Sequence, residues 1–164
     1  HRHAPLDLAI HSLVNRAQRS HEMWAWNAKT AYPELWVREF RLLHLKDAGR
    51  VTRPDSTGMM MAEWLRSGHG LLMGAKHREP EAWCAFAYFV VYGQWAYYHS
   101  SAKQEPDVVH ALIRNAMGAL VSGGVRWLEM GWMTGVEAEK GRELFKTGFG
   151  GYDIPAKEAL ALCG

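Results

Sequence analysis

The stretch Trp83-Cys84-Ala85-Phe86-Ala87-Tyr88-Phe89-Val90-Val91-Tyr92-Gly93-Gln94-Trp95-Ala96-Tyr97-Tyr98-His99-Ser100 decides how the chain is read. From Trp83 to Tyr92 nearly every residue is apolar or aromatic, the pattern of a strand buried on both faces. Gly93-Gln94 is a two-residue turn signal, and Trp95 to Ser100 reads as the returning partner strand. Upstream, Leu71 to Lys76 is a short apolar run, separated from Trp83 by the polar, turn-like His77-Arg78-Glu79-Pro80-Glu81. Residues 71–100 therefore predict an antiparallel meander of three strands. Downstream, Pro106-Asp107 opens a helix carrying Val108, Val109, Leu112, Ile113, Ala116, Met117, Ala119 and Leu120, and Gly123-Gly124 ends it. Val125 to Met130 is a further strand, broken by Gly131. Strand, helix, strand over residues 95–130 makes a βαβ unit, whose two strands should be parallel neighbours.

The flanks are more helical. Leu6, Ala9, Ile10, Leu13, Val14 and Ala17 recur at helical spacing after Pro5, and Arg16 and Arg19 share the opposite, solvated face. Trp24-Ala25-Trp26-Asn27 reads as a Trp-rich connection. A second helix runs from near Pro33 to Ala48, with Trp36, Val37, Phe40, Leu43 and His44 on its apolar face and Gly49 as its stop. The loop Arg50-Val51-Thr52-Arg53-Pro54-Asp55 leads to a third helix, capped by Asp55 or Ser56 and ended by Gly68 and Gly70, whose Met59-Met60-Met61 run reads as core. Glu137 to Lys146 is a short helix, Gly150-Gly151 a turn, and Ala156 to Leu162 a terminal helix or strand. The fold class is α+β or α/β, a mixed, mostly antiparallel twisted sheet flanked by helices. Residues 1–164 form one domain, with 1–48 as a helical lead-in and 49–164 as the core.

The 164 residues suit a single domain, able to bury roughly 70% of its unfolded surface without disulfide staples. Apolar residues at 48% and charged residues at 22% are globular proportions. A net charge of +2 is too small to argue for DNA or membrane binding. Cys84 and Cys163 fit a reducing compartment, so a cytoplasmic location is expected. No apolar run reaches the ~18 residues of a membrane span, and no signal peptide opens the chain. The start at His1 fits a fragment or a processed chain.

Several familiar chemistries are missing from the pattern. There is no Gly-x-Gly-x-x-Gly after a strand, no phosphate loop ending in Gly-Lys-Ser/Thr and no Gly-x-Ser-x-Gly. The nine histidines are scattered, none forming His-Glu-x-x-His, and no cysteine pair has zinc spacing. No metal is expected; His1 and His3 read as a tail.

Three segments, taken in order, carry a resemblance. Residues 45–68 read Leu-Lys-Asp-Ala-Gly-Arg-Val-Thr-Arg-Pro-Asp-Ser-Thr, then a Met-rich helix, then Glu-Trp-Leu-Arg-Ser-Gly; residues 92–102 read Tyr-Gly-Gln-Trp-Ala-Tyr-Tyr-His-Ser-Ser-Ala; residues 144–151 read Leu-Phe-Lys-Thr-Gly-Phe-Gly-Gly. With a helix and a Trp-Leu-Glu-Met-Gly strand between the last two, they resemble the FemAB-like branch of the GNAT acyltransferase superfamily, whose members include peptidoglycan-bridge aminoacyltransferases. The Phe-Lys-x-Gly-Phe-Gly-Gly end is the most specific piece. The resemblance implies a twisted mixed sheet that splays near its centre, with an acyl donor in the splay and an amine attacking the donor carbonyl. It also implies that the chain is the C-terminal half of a longer two-domain protein.

The usual GNAT phosphate grip, Arg/Gln-x-x-Gly-x-Gly/Ala, is replaced by Lys103-Gln104-Glu105-Pro106-Asp107-Val108. It has no glycine, and Glu105 and Asp107 repel a phosphate where the helix dipole would attract it. This argues against tight acetyl-CoA binding by that route; the donor is left as acyl-CoA or aminoacyl-tRNA.

Within this frame Lys146 is the expected stabiliser of phosphate or developing charge at the donor. Phe145 beside it would wall the donor site. Tyr97, Tyr98, His99, Ser100 and Ser101 end the strand bordering the splay, Tyr98 and His99 as candidates to orient the acceptor or relay its proton. Alternation puts Tyr97 and His99 on one face and Tyr98 and Ser100 on the other. Arg50 and Arg53 would clamp a phosphate or carboxylate of the acceptor. The expected activity is acyl or aminoacyl transfer onto an amine of a small molecule, such as a cell-envelope or sugar-nucleotide precursor. A non-catalytic half-domain that binds a partner or dimerises, and an ordinary acetyl-CoA-dependent N-acetyltransferase, remain the alternatives.

Overall fold

The computed structural model describes residues 8–131 and 140–150. In chain order the elements are α1 (Leu8–Ser20), β1 (His21–Trp26), α2 (Pro33–Ala48), α3 (Asp55–Arg66), β2 (Gly70–His77), β3 (Trp83–Tyr92), β4 (Trp95–Lys103), α4 (Pro106–Ser122), β5 (Trp127–Glu129) and α5 (Lys140–Thr147). The expected turn at Gly150-Gly151 extends past the described residues, and the terminal element over 156–162 lies outside them.

One five-stranded sheet runs in the order β1-β2-β3-β4-β5. The meander is antiparallel, and β5 joins β4 in parallel through the α4 crossover, as the βαβ reading requires. The fold is thus the mixed, mostly antiparallel sheet flanked by helices that the sequence implied.

Two cores lie on the two faces of the sheet. On one, α1 and α4 cover Leu71, Met73, Ala85, Ala87 and Phe89 with Ile10, Val14, Val108, Leu112 and Ile113. On the other, α2 and α3 cover Leu72, Phe86, Tyr88 and Ala102 with Val37, Phe40, Met61 and Leu65. Period 2 in β3 sends Phe86 and Tyr88 to one face and Ala85, Ala87 and Phe89 to the other, which is why its sequence reads as continuously apolar.

Four readings of the sequence need correction. The Trp-rich connection is strand β1, pairing antiparallel with β2 from His21↔His77 to Trp26↔Leu72. Neither Asp55 nor Ser56 caps α3: Pro54 holds the N-cap position, and Asp55, already helical, accepts a 2.7 Å bond from Arg41. Gly70 opens β2 instead of ending α3. Of the three consecutive methionines only Met61 is buried, because helical spacing turns Met59 and Met60 outward. Among the described residues, no helix is long and apolar enough to cross a membrane.

Candidate functional site

The candidate site is built on β4. Its register with β3 shifts between Tyr88↔Ser100 and Phe89↔Tyr98, leaving His99 as an extra residue, a β-bulge. On its other side β4 pairs with β5 only at Trp95, Ala96 and Tyr97. Among the described residues, Tyr98 to Lys103 therefore has no strand partner on the β5 side. An unpaired strand edge presents backbone N–H and C=O groups to whatever lies alongside it.

The bulge changes which side chains share a face. Antiparallel partners point the same way, so Tyr97 (opposite Val90) and Ser100 (opposite Tyr88) face α2 and α3, while Tyr98 (opposite Phe89) and Ser101 (opposite Ala87) face α4. Simple alternation put Ser100 with Tyr98. The extra residue instead places it beside His99, whose ring packs edge-on to Trp64 and Tyr88 on the α2–α3 side.

On that side lies a groove of about 420 Å³ between α2, the 50–53 loop and α3, lined by Val37, Phe40, His44, Arg50, Arg53 and Ser100 among others. Arg53 Nη1 lies 2.9 Å from His99 Nε2, and His99 Nδ1 lies 2.8 Å from Ser100 Oγ. A guanidinium can only donate, so Nε2 accepts and Nδ1–H donates to the Ser100 hydroxyl. Burial first, then the Arg53 charge, holds the imidazole down to about 4, so His99 is neutral at physiological pH. With both ring nitrogens engaged, His99 holds Arg53 and Ser100 in place and has no lone pair left for a substrate proton.

The groove carries Arg38, Arg41, Arg50 and Arg53 against Glu34 and Asp55. Arg41 pairs with Asp55. Among the described residues no carboxylate pairs with Arg38, Arg50 or Arg53, so the groove is positive. Arg38, His44, Thr52 and Trp64 were not singled out as site residues by sequence reasoning, because only packing of α2 on α3 brings them to the bulge.

On the α4 side, Tyr98 stacks against Phe89 and Phe145, and Phe145 packs on His110 and Phe149. Burial pushes the Tyr98 hydroxyl upward, with the bonded Ser101 hydroxyl offsetting part of the shift, so it stays protonated. Lys146, half-buried on α5, reaches the end of β5: a methyl placed on Gly131 would stand 3.8 Å from both Lys146 Nζ and Tyr97 Oη. Lys146 and Tyr97 thus both come near Gly131, just past the end of β5, and Tyr98 packs on Phe145 beside them.

At the N-terminus of α4, Glu105 makes no side-chain cap bond. It turns to His21 and His77, and Asp107 faces Arg16 at 3.8 Å. The two carboxylates lie in the glycine-free stretch Lys103 to Val108 at the start of α4. Among the described residues, one group has metal-ligating donors gathered together: His21, His77, Cys84 and Glu105.

Comparison with solved structures places this architecture among the acetyltransferase folds. The aminoglycoside N-acetyltransferase AAC(6')-Iy, solved in complex with CoA, superposes with a TM-score of 0.63 at 13% identity, over 87% of this chain and 95% of that one. The aminoglycoside acetyltransferase meta-AAC0020 from an uncultured soil metagenomic sample, solved with sisomicin, gives 0.64 at 9% identity over 89% and 99%. FemX gives 0.68 at 13% identity over 90% of this chain, which spans 54% of FemX. Neither a family model nor a curated protein sequence matches the chain. At these identities the likeness establishes the fold.

Proposed function

We propose that the chain is an acyltransferase that moves an acyl or aminoacyl group onto the amine of an anionic small molecule, such as a cell-envelope or sugar-nucleotide precursor. The observation that carries this is the end of β4–β5 pairing after Tyr97, with Lys146 near Gly131 just past β5 and an arginine-lined groove across the bulge. The donor carbonyl binds at that edge of β4. The acceptor binds in the groove, where Arg50 and Arg53 hold its phosphate or carboxylate. An activated ester or thioester needs a deprotonated amine, correct placement and stabilisation of the oxyanion, so no dedicated nucleophile is required.

The amine nitrogen attacks the carbonyl carbon, the bond to the leaving sulfur or ribose oxygen breaks, and the proton the amine loses to solvent is matched by one that the leaving atom takes up from solvent, giving a free thiol or hydroxyl. Lys146 and the unpaired β4 backbone stabilise the negative charge that develops, while Tyr98, held protonated, hydrogen-bonds the departing atom. His99 acts as a positioning residue for Arg53. Phe145 walls the donor site. Tyr97, Ser100 and Ser101 line the strand end.

The positive groove favours an anionic acceptor over a polycation such as an aminoglycoside. The carboxylates at the α4 N-terminus disfavour a donor gripped there by its pyrophosphate, which weighs toward aminoacyl-tRNA over acetyl-CoA. The likeness to about half of FemX fits one transferase domain of a two-domain protein.

Turnover of Lys146→Ala against wild type, with acetyl-CoA or aminoacyl-tRNA as donor and a nucleotide-linked amine as acceptor, tests this. Loss of about 10²-fold in kcat is expected for removal of one charge stabiliser. Arg53→Ala should chiefly raise KM for the acceptor. Unchanged kinetics in folded Lys146→Ala would remove that residue's role. No transfer by wild type, together with self-association unaffected by any donor or acceptor, would favour a non-catalytic binding module.

A further inference from the structure

Away from the arginine groove, where α1, β1, β2, β3 and α4 meet, four side chains of metal-ligating type converge from distant points in the sequence. His21 opens β1, His77 closes β2, Cys84 lies near the start of β3 and Glu105 precedes α4. One ligand atom from each lies within 4.8 Å of all the others. His77 Nε2 is 2.5 Å from Glu105 Oε1 and His21 Nε2 is 3.4 Å from Glu105 Oε2, with the two imidazole centroids 4.6 Å apart.

The tautomer of His21 sharpens the observation. Its Nδ1 lies 3.1 Å from the Ala17 carbonyl and 2.9 Å from Ser20 Oγ. A carbonyl can only accept, so Nδ1 carries a hydrogen, and Nε2 is the ring nitrogen that faces the cluster. That side chain is only 4% exposed, and Nε2 has no hydrogen-bond partner. The backbone carbonyl behind the ring is the outer contact that orients metal-bound histidines.

We propose that His21, His77, Cys84 and Glu105 form a binding site for a divalent transition metal of the zinc type, which ties the ends of β1, β2 and β3 to the start of α4. Imidazole, thiolate and carboxylate together suit zinc, whereas magnesium and calcium take oxygen ligands. Tetrahedral zinc with arms of about 2.0–2.3 Å sets neighbouring ligand atoms about 3.4–3.6 Å apart. The widest separation here exceeds that by about 1 Å, within the reach of side-chain rotation about the half-exposed Glu105 and His77. Metal binding displaces one proton from Cys84 to solvent, and no redox step is involved.

The test titrates the metal-free full-length chain, carrying His1→Ala and His3→Ala so that the chain start cannot compete, with Co²⁺ and then Zn²⁺. One equivalent of cobalt should give a thiolate-to-metal charge-transfer band that one equivalent of zinc abolishes, and zinc should raise the melting temperature. Cys84→Ala should lose the band. Glu105→Gln, which alters a half-exposed side chain and leaves the core intact, should weaken affinity by about tenfold or more. Absence of a thiolate band in the parent chain, or cobalt binding unaltered by Glu105→Gln, would overturn the proposal and leave the cluster as a histidine–carboxylate ion pair.

Discussion

His99 joins the sequence to the site through its pKa. Its imidazole falls from 6.5 to about 4 on folding, through burial and then Arg53. Between these values the unfolded chain binds the proton and the folded chain does not, so stability falls as pH drops through that window and levels off below it. His99→Gln removes this contribution. Its denaturation midpoint should decline less than that of wild type between pH 7 and pH 4.5, and an equal decline would mean that His99 is not the group responsible. In sequence, His99 was visible as a polar residue at a strand end. Its engagement by Arg53, 46 positions away, was not, because no local pattern encodes a contact between a loop and a bulge. Arg50, Arg53 and Lys146 were each legible as cations beside turns, but which side of the sheet each serves emerged only with the sheet's order.

At the scale of elements, strands with strong patterns were legible and β1 was not. β3 is apolar along its length because both of its faces are covered, and α4 announces itself through Pro106 and the periodic Val108, Leu112, Ile113 and Ala116. β1 is not legible because its consecutive exposed Trp24 and Ala25 break the alternation that marks a strand. Strand β2 carries a glycine for a packing reason: the rings of Trp26 and Phe86 lie over Gly74, and an added Cβ would come within 2.7–2.8 Å of them. Gly74→Ala should therefore destabilise the fold by about 1–3 kcal/mol through overpacking. Equilibrium denaturation measures this, and a neutral result would mean that β1 shifts freely away from β2. The bulge at His99 had no signal of its own, since an inserted residue shows only in the register of a neighbour.

For the molecule as a whole, the sheet divides labour between its faces. Helices α2 and α3 build the positive groove. Helix α4, α5 and the turn after it add Val108, Leu112, Phe145 and Phe149 to the apolar core on the other face. The proposed transfer requires the β4 edge beyond Tyr97, where pairing with β5 ends, to receive an activated acyl group. Backbone amide NMR of the full chain, titrated separately with acetyl-CoA and with an aminoacyl-tRNA, tests this most directly. With at least one donor, shifts are predicted to concentrate on Tyr98 to Lys103, Gly131 and Lys146, leaving Arg50 and Arg53 for the acceptor. Saturating amounts of both donors that leave those amides unmoved would contradict it.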